Sequence, residues 1–499
     1  MSTLVRNLIR TAFYLDSVAL MRMSSEVSAL NNVDEAVLMI GTDANKSIMR
    51  DAALLTDDGQ NATSRDLIVA IRAGDEAALA EAFAAASALL DAQRKPAAAD
   101  HGSVASEIRT LGAGVQQLPD ANLALISTPP QFAVREARAA LAANLNTLIF
   151  SDNISLDDER SLKRDAHDRG LLVMGPDCGT AYIASQPIAF ANAIQSGPVG
   201  VIAASGTGLQ EFAVLMDAAG VGLSHGIGVG GRDLSDAIGA ITTLDAIELL
   251  DNDTNTDQIV LISKPPGPET APKIIQRLAA ATKPVFACLL GLEPTATDTD
   301  IPTFTTLDEL AQAVIAHQGK AALAMPEQIS APRRTRGWRI DGLYSGGTLC
   351  AEAQLVMQRA GLAVFSNAAL NAQAAEQSPG SHRLIDLGAD EFTQGRAHPM
   401  LDPLVRAEPL AQSLEDPDVA VVLLDVVLGF GAHDDPSKVI VETLEACGGH
   451  NPVVIAHVCG TQQDPQGLDA QVNALTNAGV VVVRSNARAA ELAVECVGA

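Results

Sequence analysis

Alternating apolar and polar segments predict strands and helices over the first part of the chain. The runs NLIRTAFY, DEAVLMIG and RDLIVAIRA are short and apolar with β-branched residues, which is typical of buried strands. The segments DSVALMRMSSEVSAL and DEAALAEAFAAASALL carry apolar residues at a spacing close to 3.6, which indicates amphipathic helices. We therefore predict a small α/β domain over residues 1–93.

A second group of strands follows a polar, proline-containing linker at residues 91–102. The runs LALIS, TLIF and LLVMG alternate with helical patterns, an order typical of half a nucleotide-binding fold, and we predict such a domain over residues 103–195. Its loops contain no GxGxxG fingerprint, so nothing in them indicates NAD or FAD binding.

The most informative pattern is the strand-like run VGVIAA at 199–204, which leads into Ser205, Gly206, Thr207 and Gly208 and then into a helical pattern. A strand that opens a helix in this way gathers free N–H groups and the positive end of the helix dipole at one point. Glycines let a ligand approach the backbone, and hydroxyls add donors. The pattern predicts a loop that binds an anion, above all phosphate, although a plain turn is about as common for such a pattern alone.

The same pattern recurs 141 residues later, because ASGTGLQEFAVLMDAAG at 204–220 aligns without a gap with SGGTLCAEAQLVMQRAG at 345–361. The aligned pairs include Gly206 with Gly347, Thr207 with Thr348, and Glu211 with Glu352. Two later strand runs also recur in order, QIVLIS and KPVFACLLG in the first segment and VAVVLLDVV and NPVVIAHVCG in the second. We predict two copies of one α/β unit, over residues 196–325 and 336–499, each with a candidate anion loop.

Composition restricts the class of protein. The formal net charge of −27 argues against nucleic acid as a partner, because its phosphates need a basic face. The chain has no apolar run long enough to predict a membrane span, and its N-terminus lacks a signal-peptide pattern. Six cysteines without a CxxC pair indicate reduced thiols in a cytoplasmic protein, and no ligand cluster predicts a fixed metal site.

Several motifs in fixed order resemble succinyl-CoA synthetases and related acyl-CoA synthetases. Three motifs resemble segments of the α subunit, namely GLLVMGPDCGTAYI, ASGTGLQEF and GIGVGGRDLSDAI. Two further motifs resemble the ligase domain of the β subunit, namely HRLIDLGADEFTQGRAHPMLDP and LLDVVLGFGAHDDPSKVIVETLEA. The N-terminal FYLDSVALMRMS and MIGTDANKSIM point to the FdrA family. The resemblance implies a multi-domain α/β fold with a Rossmann-like CoA-binding-type domain, two flavodoxin-like ligase domains and a small α/β N-terminal domain.

The resemblance also implies site residues. In the synthetases two helix starts hold the phosphate of a phosphorylated histidine, and the corresponding positions here are Ser205, Gly206, Thr207, Gly208, Gly429, Phe430, Gly431 and Ala432. Loops implied for substrate or CoA contain Thr128, Pro129, Pro130, Asp177, Cys178, Gly228, Gly230, Gly231, Gly346, Gly347 and Thr348. Packing is the expected role of the Cys178 side chain itself, because no paired base is evident.

Four further residues are candidates for catalysis. His225 and His433 stand next to glycine loops, where each is expected either to act as acid, base or anion contact or to cap a turn. Arg232 and Arg396 are candidates for gripping an oxalyl carboxylate, because a planar guanidinium holds a carboxylate in two bonds. A surface salt bridge is the alternative role for each arginine.

The function implied by the resemblance depends on one departure from the synthetases. Their phosphorylated histidine has no counterpart here, because residues 283–302 contain no histidine. Members of the FdrA family are associated with oxamate carbamoyltransferase, which works with two further subunits in allantoin and purine nitrogen catabolism. That enzyme interconverts oxalurate plus phosphate with oxamate plus carbamoyl phosphate, so it requires no phosphohistidine.

The resemblance therefore implies a carbamoyltransferase subunit with phosphate or carbamoyl phosphate as substrate. CoA, and Mg²⁺ held together with phosphate, stay open as further ligands. The alternatives are an ATP- and CoA-dependent acyl-CoA synthetase and a non-catalytic anion-binding scaffold.

Overall fold

The computed structural model describes residues 4–93, 108–291, 301–321, 337–393, 397–448 and 452–498, apart from positions 12, 14, 16, 109, 371–373, 375, 377 and 379. The chain forms two compact units, one made of residues 1–106 and 389–405 and the other of residues 107–388 and 406–499. None of the helices in the described ranges combines the length and the apolar character needed to cross a bilayer.

A three-stranded antiparallel sheet forms the N-terminal part of the first unit. Its elements are β1 Leu4–Arg10, α1 Ser17–Ser28, β2 Val33–Ile40, α2 Asp43–Asp51, α3 Asp57–Asn61, β3 Leu67–Ala73 and α4 Glu76–Gln93. Strand β3 lies between β1 and β2 and is almost completely buried. Its alternate residues explain this burial, because Val69 and Ile71 pack with α1 and α4 while Ile68 and Ala70 pack with α2 on the other face.

Three parallel strands begin the second unit. These elements are α5 Leu111–Gln117, β4 Leu123–Ile126, α6 Pro130–Ala142, β5 Asn146–Ile149, α7 Leu156–Asp168 and β6 Val173–Met174. Pro130 occupies the first position of α6, where a missing N–H costs nothing. The Ser155 hydroxyl caps α7 by accepting the N–H of Asp158.

A seven-stranded sheet forms the first ligase-like copy, in the order β13-β12-β11-β9-β10-β7-β8. Its strands are β7 Thr180–Ile183, β8 Gln186–Ala189, β9 Ser196–Ala203, β10 Leu223–Gly228, β11 Gln258–Ser263, β12 Val285–Leu289 and β13 Thr303–Phe304. Its helices are α8 Gly206–Ala218, α9 Ile241–Asn252, α10 Ala271–Ala279 and α11 Leu307–His317. Strands β9 to β13 are parallel, and the hairpin β7–β8 adds an antiparallel edge.

A six-stranded parallel sheet forms the second copy, in the order β15-β16-β14-β17-β18-β19. Its strands are β14 Arg339–Tyr344, β15 Val364–Ser366, β16 His382–Asp386, β17 Val419–Val427, β18 Val453–Cys459 and β19 Val481–Val483. The helices that follow β14 in the chain are α12 Gly347–Arg359, α13 Asp390–Thr393, α14 Ala407–Glu415, α15 Ser437–Cys447, α16 Leu468–Asn477 and α17 Asn486–Val497. All nine residues of β17 are buried, as expected for a parallel strand covered on both faces.

The predicted fold class is confirmed, and the repeated strand–loop–helix pattern is present in both copies. Strand β9 leads into α8 and strand β14 leads into α12, with α8 and α12 of equal length. Parallel strands share one carboxyl edge in each sheet, so the two candidate anion loops lie at such edges.

Candidate functional site

The hairpin β7–β8 lies between the first anion loop, residues 205–208, and the glycine loop, residues 429–432. A Cβ added at Gly206 would lie 3.0 Å from Thr180 Oγ1, and a Cβ added at Gly431 would lie 2.8 Å from the ring of Phe190. Thr180 and Phe190 are themselves joined, because Thr180 Oγ1 donates to the Phe190 carbonyl at 2.7 Å. The structure therefore brings the two predicted phosphate loops to one region.

The first anion loop presents backbone rather than side-chain donors. The Ser205 hydroxyl accepts the N–H of Gly208 at 3.0 Å and is hydrogen-bonded to the Thr348 hydroxyl. Thr207 is 8% exposed, and its side chain lies 2.9 Å from a Cβ added at Gly346. The helix starts of the two copies thus pack on each other, and the partly exposed Ser205 and Gly206 offer the accessible N–H groups.

The second anion loop is more buried than the first, although Gly347 is partly exposed. Gly346 and Thr348 are buried, and a Cβ added at Gly347 would lie 2.7 Å from a carboxylate oxygen of Asp386. An acidic side chain therefore already lies at the start of α12. The two copies differ in access although their backbones correspond.

The prediction that Gly429, Phe430, Gly431 and Ala432 open a helix is wrong. Strand β17 ends at Val427, and α15 begins only at Ser437. Gly429 has a φ of 114° and Gly431 a φ of 80°, values that a right-handed helix does not contain. The segment is a loop whose Phe430 is 48% exposed and donates its N–H to the Ala191 carbonyl at 2.8 Å.

Gln466 fixes this glycine loop, and the sequence did not single it out. Its side-chain oxygen accepts the N–H of Gly429 at 3.0 Å, and its amide donates to the carbonyls of Gly429 at 2.9 Å and His433 at 3.3 Å. Nearby, the carboxylate of Asp464 accepts from the Asn192 amide at 2.8 Å. The one sequence feature that could have indicated Asp464 and Gln466 is their position, because residues 461–466 follow the carboxyl end of the predicted strand β18.

The loops of the Rossmann-like sheet pack against the same region. A Cβ added at Gly228 would lie 2.5 Å from Cys178 Sγ, and one added at Gly230 would lie 2.5 Å from the Pro176 carbonyl. A Cβ added at Gly231 would lie 3.9 Å from the Ala204 carbonyl, directly before the first anion loop. The predicted loops at 175–179 and 228–231 therefore support the anion loop closely.

Thr128, Pro129 and Pro130 lie at the end of β4. The Ser151 hydroxyl donates to the Thr128 carbonyl at 2.6 Å and accepts the Thr128 N–H at 3.1 Å. The Thr128 hydroxyl oxygen is buried and has no hydrogen-bond partner among the described residues. Asp177 is exposed with a φ of 57°, and its N–H donates to the Ser151 carbonyl at 3.1 Å.

Cys178 is a buried thiol. It is 3% exposed, and burial raises the pKa of its thiol to about 12. The sulfur donates to the Thr180 carbonyl at 3.5 Å. A thiol with this pKa carries almost no thiolate at neutral pH, so its role is packing.

The two candidate histidines lie in different places. His225 belongs to the amino-terminal half of β10, about 10 Å along the strand from Gly228. Its Nδ1 accepts the N–H of Ala184 at 3.2 Å, and burial lowers its pKa despite Asp253, whose carboxylate lies 3.7 Å from Nε2. His433 directly follows the glycine loop, and its Nδ1 accepts the N–H of Asp435 at 3.0 Å, so a neutral ring carries its proton on Nε2.

The two candidate arginines also differ. Arg232 binds the Ile154 carbonyl and the Glu159 carboxylate, both at 2.8 Å. Glu159 also pairs at 3.0 Å with Lys163, which is fully buried and contacts Asp233 at 2.7 Å. Arg232 is therefore part of a charge-balanced network that joins α7 to the loop after β10. Arg396 lies outside the described residues.

A buried acid–base cluster lies beneath the anion loop. Glu211, one turn into α8, contacts Nε2 of His457 at 2.5 Å, and both side chains are almost fully buried. Burial alone lowers the pKa of His457, yet the Glu211 carboxylate outweighs it and the pKa lies above its usual value. Ligand atoms of Glu211, His457 and Cys459 lie within 4.8 Å of one another, but a 2.5 Å separation is that of a hydrogen bond rather than of two ligands on one metal.

Comparison with known proteins identifies the family. Residues 1–106 match the family described as AllF, heavy metal-associated domain, and residues 343–496 match the family described as CoA-ligase. The uncharacterized protein YahF of Escherichia coli (strain K12) is 37% identical over 98% of this chain and 98% of its own length. The chain belongs to the FdrA family of succinyl-CoA synthetase-like proteins.

More distant relatives of this FdrA-family chain cover parts of it. The α subunit of the ADP-forming succinate–CoA ligase of Methanothermobacter thermautotrophicus is 29% identical over 34% of this chain and 58% of its own length. The apo structure of dinucleotide-forming acetyl-coenzyme A synthetase 1 of Ca. Korarchaeum cryptofilum shares 16% identity over 75% of this chain and 83% of that one, with a TM-score of 0.33.

The name of the N-terminal family implies a heavy metal, and the residues do not fit one. Residues 1–106 contain no cysteine, so this domain lacks the thiolate ligands that soft heavy metals prefer.

Proposed function

We propose that this chain is the phosphate-binding subunit of an oxamate carbamoyltransferase, which interconverts oxalurate plus phosphate with oxamate plus carbamoyl phosphate. The observation that carries the proposal is an accessible anion loop at residues 205–208 in a chain whose residues 283–302 contain no histidine to carry a phosphoryl group. Membership of the FdrA family and the match to AllF support it.

The reaction balances without a covalent enzyme intermediate. An oxygen of hydrogen phosphate attacks the terminal carbonyl carbon of oxalurate, and the bond between that carbon and the internal nitrogen breaks. The proton of hydrogen phosphate moves to that nitrogen, which leaves as the amide of oxamate. The N–H groups of Ser205 and Gly206 hold the phosphate, because preorganised donors stabilise anionic oxygen without reorganising.

The remaining roles are shared between the glycine loop and other subunits. We assign to Nε2–H of His433 a hydrogen bond to substrate, because Nδ1 already accepts the N–H of Asp435. Arg232 is bound to Glu159 and so is a poor candidate for the oxalyl carboxylate. We propose that a cation from a partner subunit holds this carboxylate, and that Mg²⁺ accompanies the phosphate.

One observation favours an acyl-CoA synthetase as the second candidate. The buried hydroxyl of Thr128 lacks a partner among the described residues, at a strand end where CoA-type ligands fit, beside the start of α6. Bound CoA supplies a thiol nucleophile, and Thr128 with the N–H groups of α6 holds its polar groups. ATP and a phosphorylated histidine then have to come from another chain. A non-catalytic anion-binding scaffold is the third candidate.

Carbamoyl phosphate production from oxalurate and phosphate tests the proposal, using the complex purified through this chain from its own cells. We expect turnover that is lost in Gly431→Val, because an added Cβ meets Phe190 at 2.8 Å, and retained in Gly112→Val, where nothing lies within 4 Å. Thioester formation that depends on ATP and CoA, without carbamoyl phosphate, would refute the transferase. Phosphate binding without carbamoyl phosphate production and without thioester formation would support the non-catalytic scaffold instead.

A further inference from the structure

The second anion loop already holds an anion, which is a carboxylate of the same chain. Asp425 accepts the N–H of Ser345 at 2.7 and 3.0 Å through its two oxygens, and the N–H of Gly346 at 2.8 Å. The guanidinium of Arg406 lies 2.5 Å from the same carboxylate, and Asp425 is 0% exposed. This carboxylate thus accepts the two N–H groups that directly precede α12.

The first copy lacks both members of this ion pair. Strand pairing matches Leu343 with Leu424 in the second copy and Ile202 with Leu261 in the first, so the next residue, Ile262, stands where Asp425 stands. The residue before α14 is Arg406, and the residue before the corresponding helix α9 is Ala240. An apolar pair has therefore replaced the charged pair.

The N–H groups of the first loop are correspondingly available. Within the described part of the chain, the N–H groups of Ser205 and Gly206 have no hydrogen-bond acceptor, and both residues are partly exposed. Their counterparts are Gly346, which is buried and donates its N–H to Asp425, and Gly347, which is partly exposed but whose added Cβ would lie 2.7 Å from the Asp386 carboxylate. Charge placement, not backbone shape, distinguishes the two loops.

We propose that Asp425 and Arg406 form a built-in anion site that closes the second loop permanently, so that the chain binds one phosphate, at the first loop. Asp425 is thereby a residue that determines which copy takes the ligand. The statement about the first loop rests on the proposed function, whereas the statement about the second loop stands independently of it.

Removal and replacement of the carboxylate test the second loop. In Asp425→Gly the site loses its anion but keeps its donors, and we expect Tm to fall by roughly 10 °C. Added formate should raise the Tm of this variant most of the way back to that of the parent protein, and the effect should saturate with formate concentration. Asp425→Leu loses the same charge but fills the space, so formate should leave it unchanged, as it should the parent protein. Equal responses of the Gly and Leu variants to formate would overturn the proposal.

The reverse exchange tests the first loop and does not require Asp425 variants to fold. Ile262→Asp places a carboxylate near Ala204 and Ser205, the counterparts of Ser345 and Gly346, whereas Ile262→Asn is its uncharged control. Titration of the full chain with inorganic phosphate should show a dissociation constant about tenfold or more weaker for the Asp variant, because like charges oppose each other. Equal affinities of the two variants would overturn the proposal. A parent protein that binds no phosphate, with formate still restoring Asp425→Gly, would refute the proposed function and leave the second-loop assignment standing.

Discussion

Glu352 makes the stability of this protein depend on pH in a direction that can be measured. Its carboxyl group is fully buried, with one oxygen accepting the N–H of Leu307 at 2.6 Å and the other accepting from the Asn486 amide at 2.7 Å. Burial, followed by the charge of Glu211, raises the pKa of Glu352 from 4.5 to about 7. The group therefore stays protonated in the folded chain at pH values where the unfolded chain has lost the proton.

This difference in pKa sets the direction and the size of the change in the free energy of unfolding with pH. Between pH 4.5 and about 7 the folded state binds one more proton than the unfolded state, so stability falls as the pH rises through this window. A difference of about 2.5 pKa units corresponds to about 3 kcal/mol in full, of which about 2 kcal/mol is lost between pH 5.5 and 8. The contribution levels off only at about pH 8, because half of the folded molecules still hold the proton at a pH equal to the folded pKa.

Glu352→Gln removes this titration. The variant loses one hydrogen bond at every pH, because an amide cannot accept at both positions, so its absolute stability drops by a constant amount. Urea titrations from pH 5.5 to 8, above the pI of 4.6, measure the difference in free energy of unfolding between parent and variant. We expect the free energy of unfolding of the parent, relative to that of the variant, to fall by about 2 kcal/mol as the pH rises from 5.5 to 8.

The matched control is Glu442→Gln, whose parent side chain is 60% exposed. Its difference from the parent should be independent of pH. A difference for Glu352→Gln that stays flat within about 0.5 kcal/mol would refute the assignment of a raised pKa to this residue.

Three further changes have defined outcomes. Lys163→Met leaves the fully buried Asp233 without its ammonium partner and should lower the free energy of unfolding by about 3–5 kcal/mol in urea titrations, whereas an exposed lysine variant should not. Iodoacetamide at pH 8 should modify native protein first at Cys447, the half-buried cysteine, because the other five are buried; peptide masses showing equal modification of all six would contradict this. Gly429→Ala places a Cβ 2.6 Å from a backbone oxygen at a φ of 114°, so calorimetric phosphate titrations should show weaker binding, with a strain of about 1–3 kcal/mol; unchanged affinity would argue against a role of this loop.

The elements at the centre of the fold were predictable because their causes are local. The apolar run before Ser205 forms β9, and the hydroxyl at the turn caps α8, both as the pattern indicates. The repeat 141 residues later carries the same local information, so β14 and α12 follow. Periodicity and capping act within a few residues, which a single sequence contains.

The residues that shape the candidate site depend on partners that are distant in the sequence. Asp425 lies 80 residues from Ser345, and Gln466 lies 37 residues from Gly429, so no sequence pattern links either pair. The prediction of a helix start at Gly429 was wrong for another reason. The resemblance transferred a motif but not its backbone angles, and α15 begins only after Pro436, which occupies the N-cap position without a side-chain hydrogen bond.

The two copies interlock through glutamates at equivalent positions. Glu211 in the first copy accepts the N–H of Asn486, which begins α17 of the second copy, at 3.3 Å. Glu352 in the second copy accepts the N–H of Leu307, which begins α11 of the first copy, at 2.6 Å. The first N–H group of a helix has no acceptor within that helix, and here each copy supplies a glutamate that accepts this N–H from the last helix of the other copy. Neither copy can bury these helix starts alone without leaving donors unsatisfied.

The charges of this pair are nevertheless unequal. His457 balances the charge of Glu211, whereas burial beside Glu211 favours the neutral form of Glu352. The same division appears at the anion loops, where Asp425 occupies the second and the apolar Ile262 stands at the first. A buried carboxylate can remain ionised only where a cation or aligned N–H groups compensate its charge. The copy that contains such a carboxylate therefore uses its N–H donors on it, and the other copy keeps its donors for an external anion. The duplicated backbone thus supplies two equivalent loops, and the placement of buried charge puts a carboxylate of the chain at the second and an apolar side chain at the first.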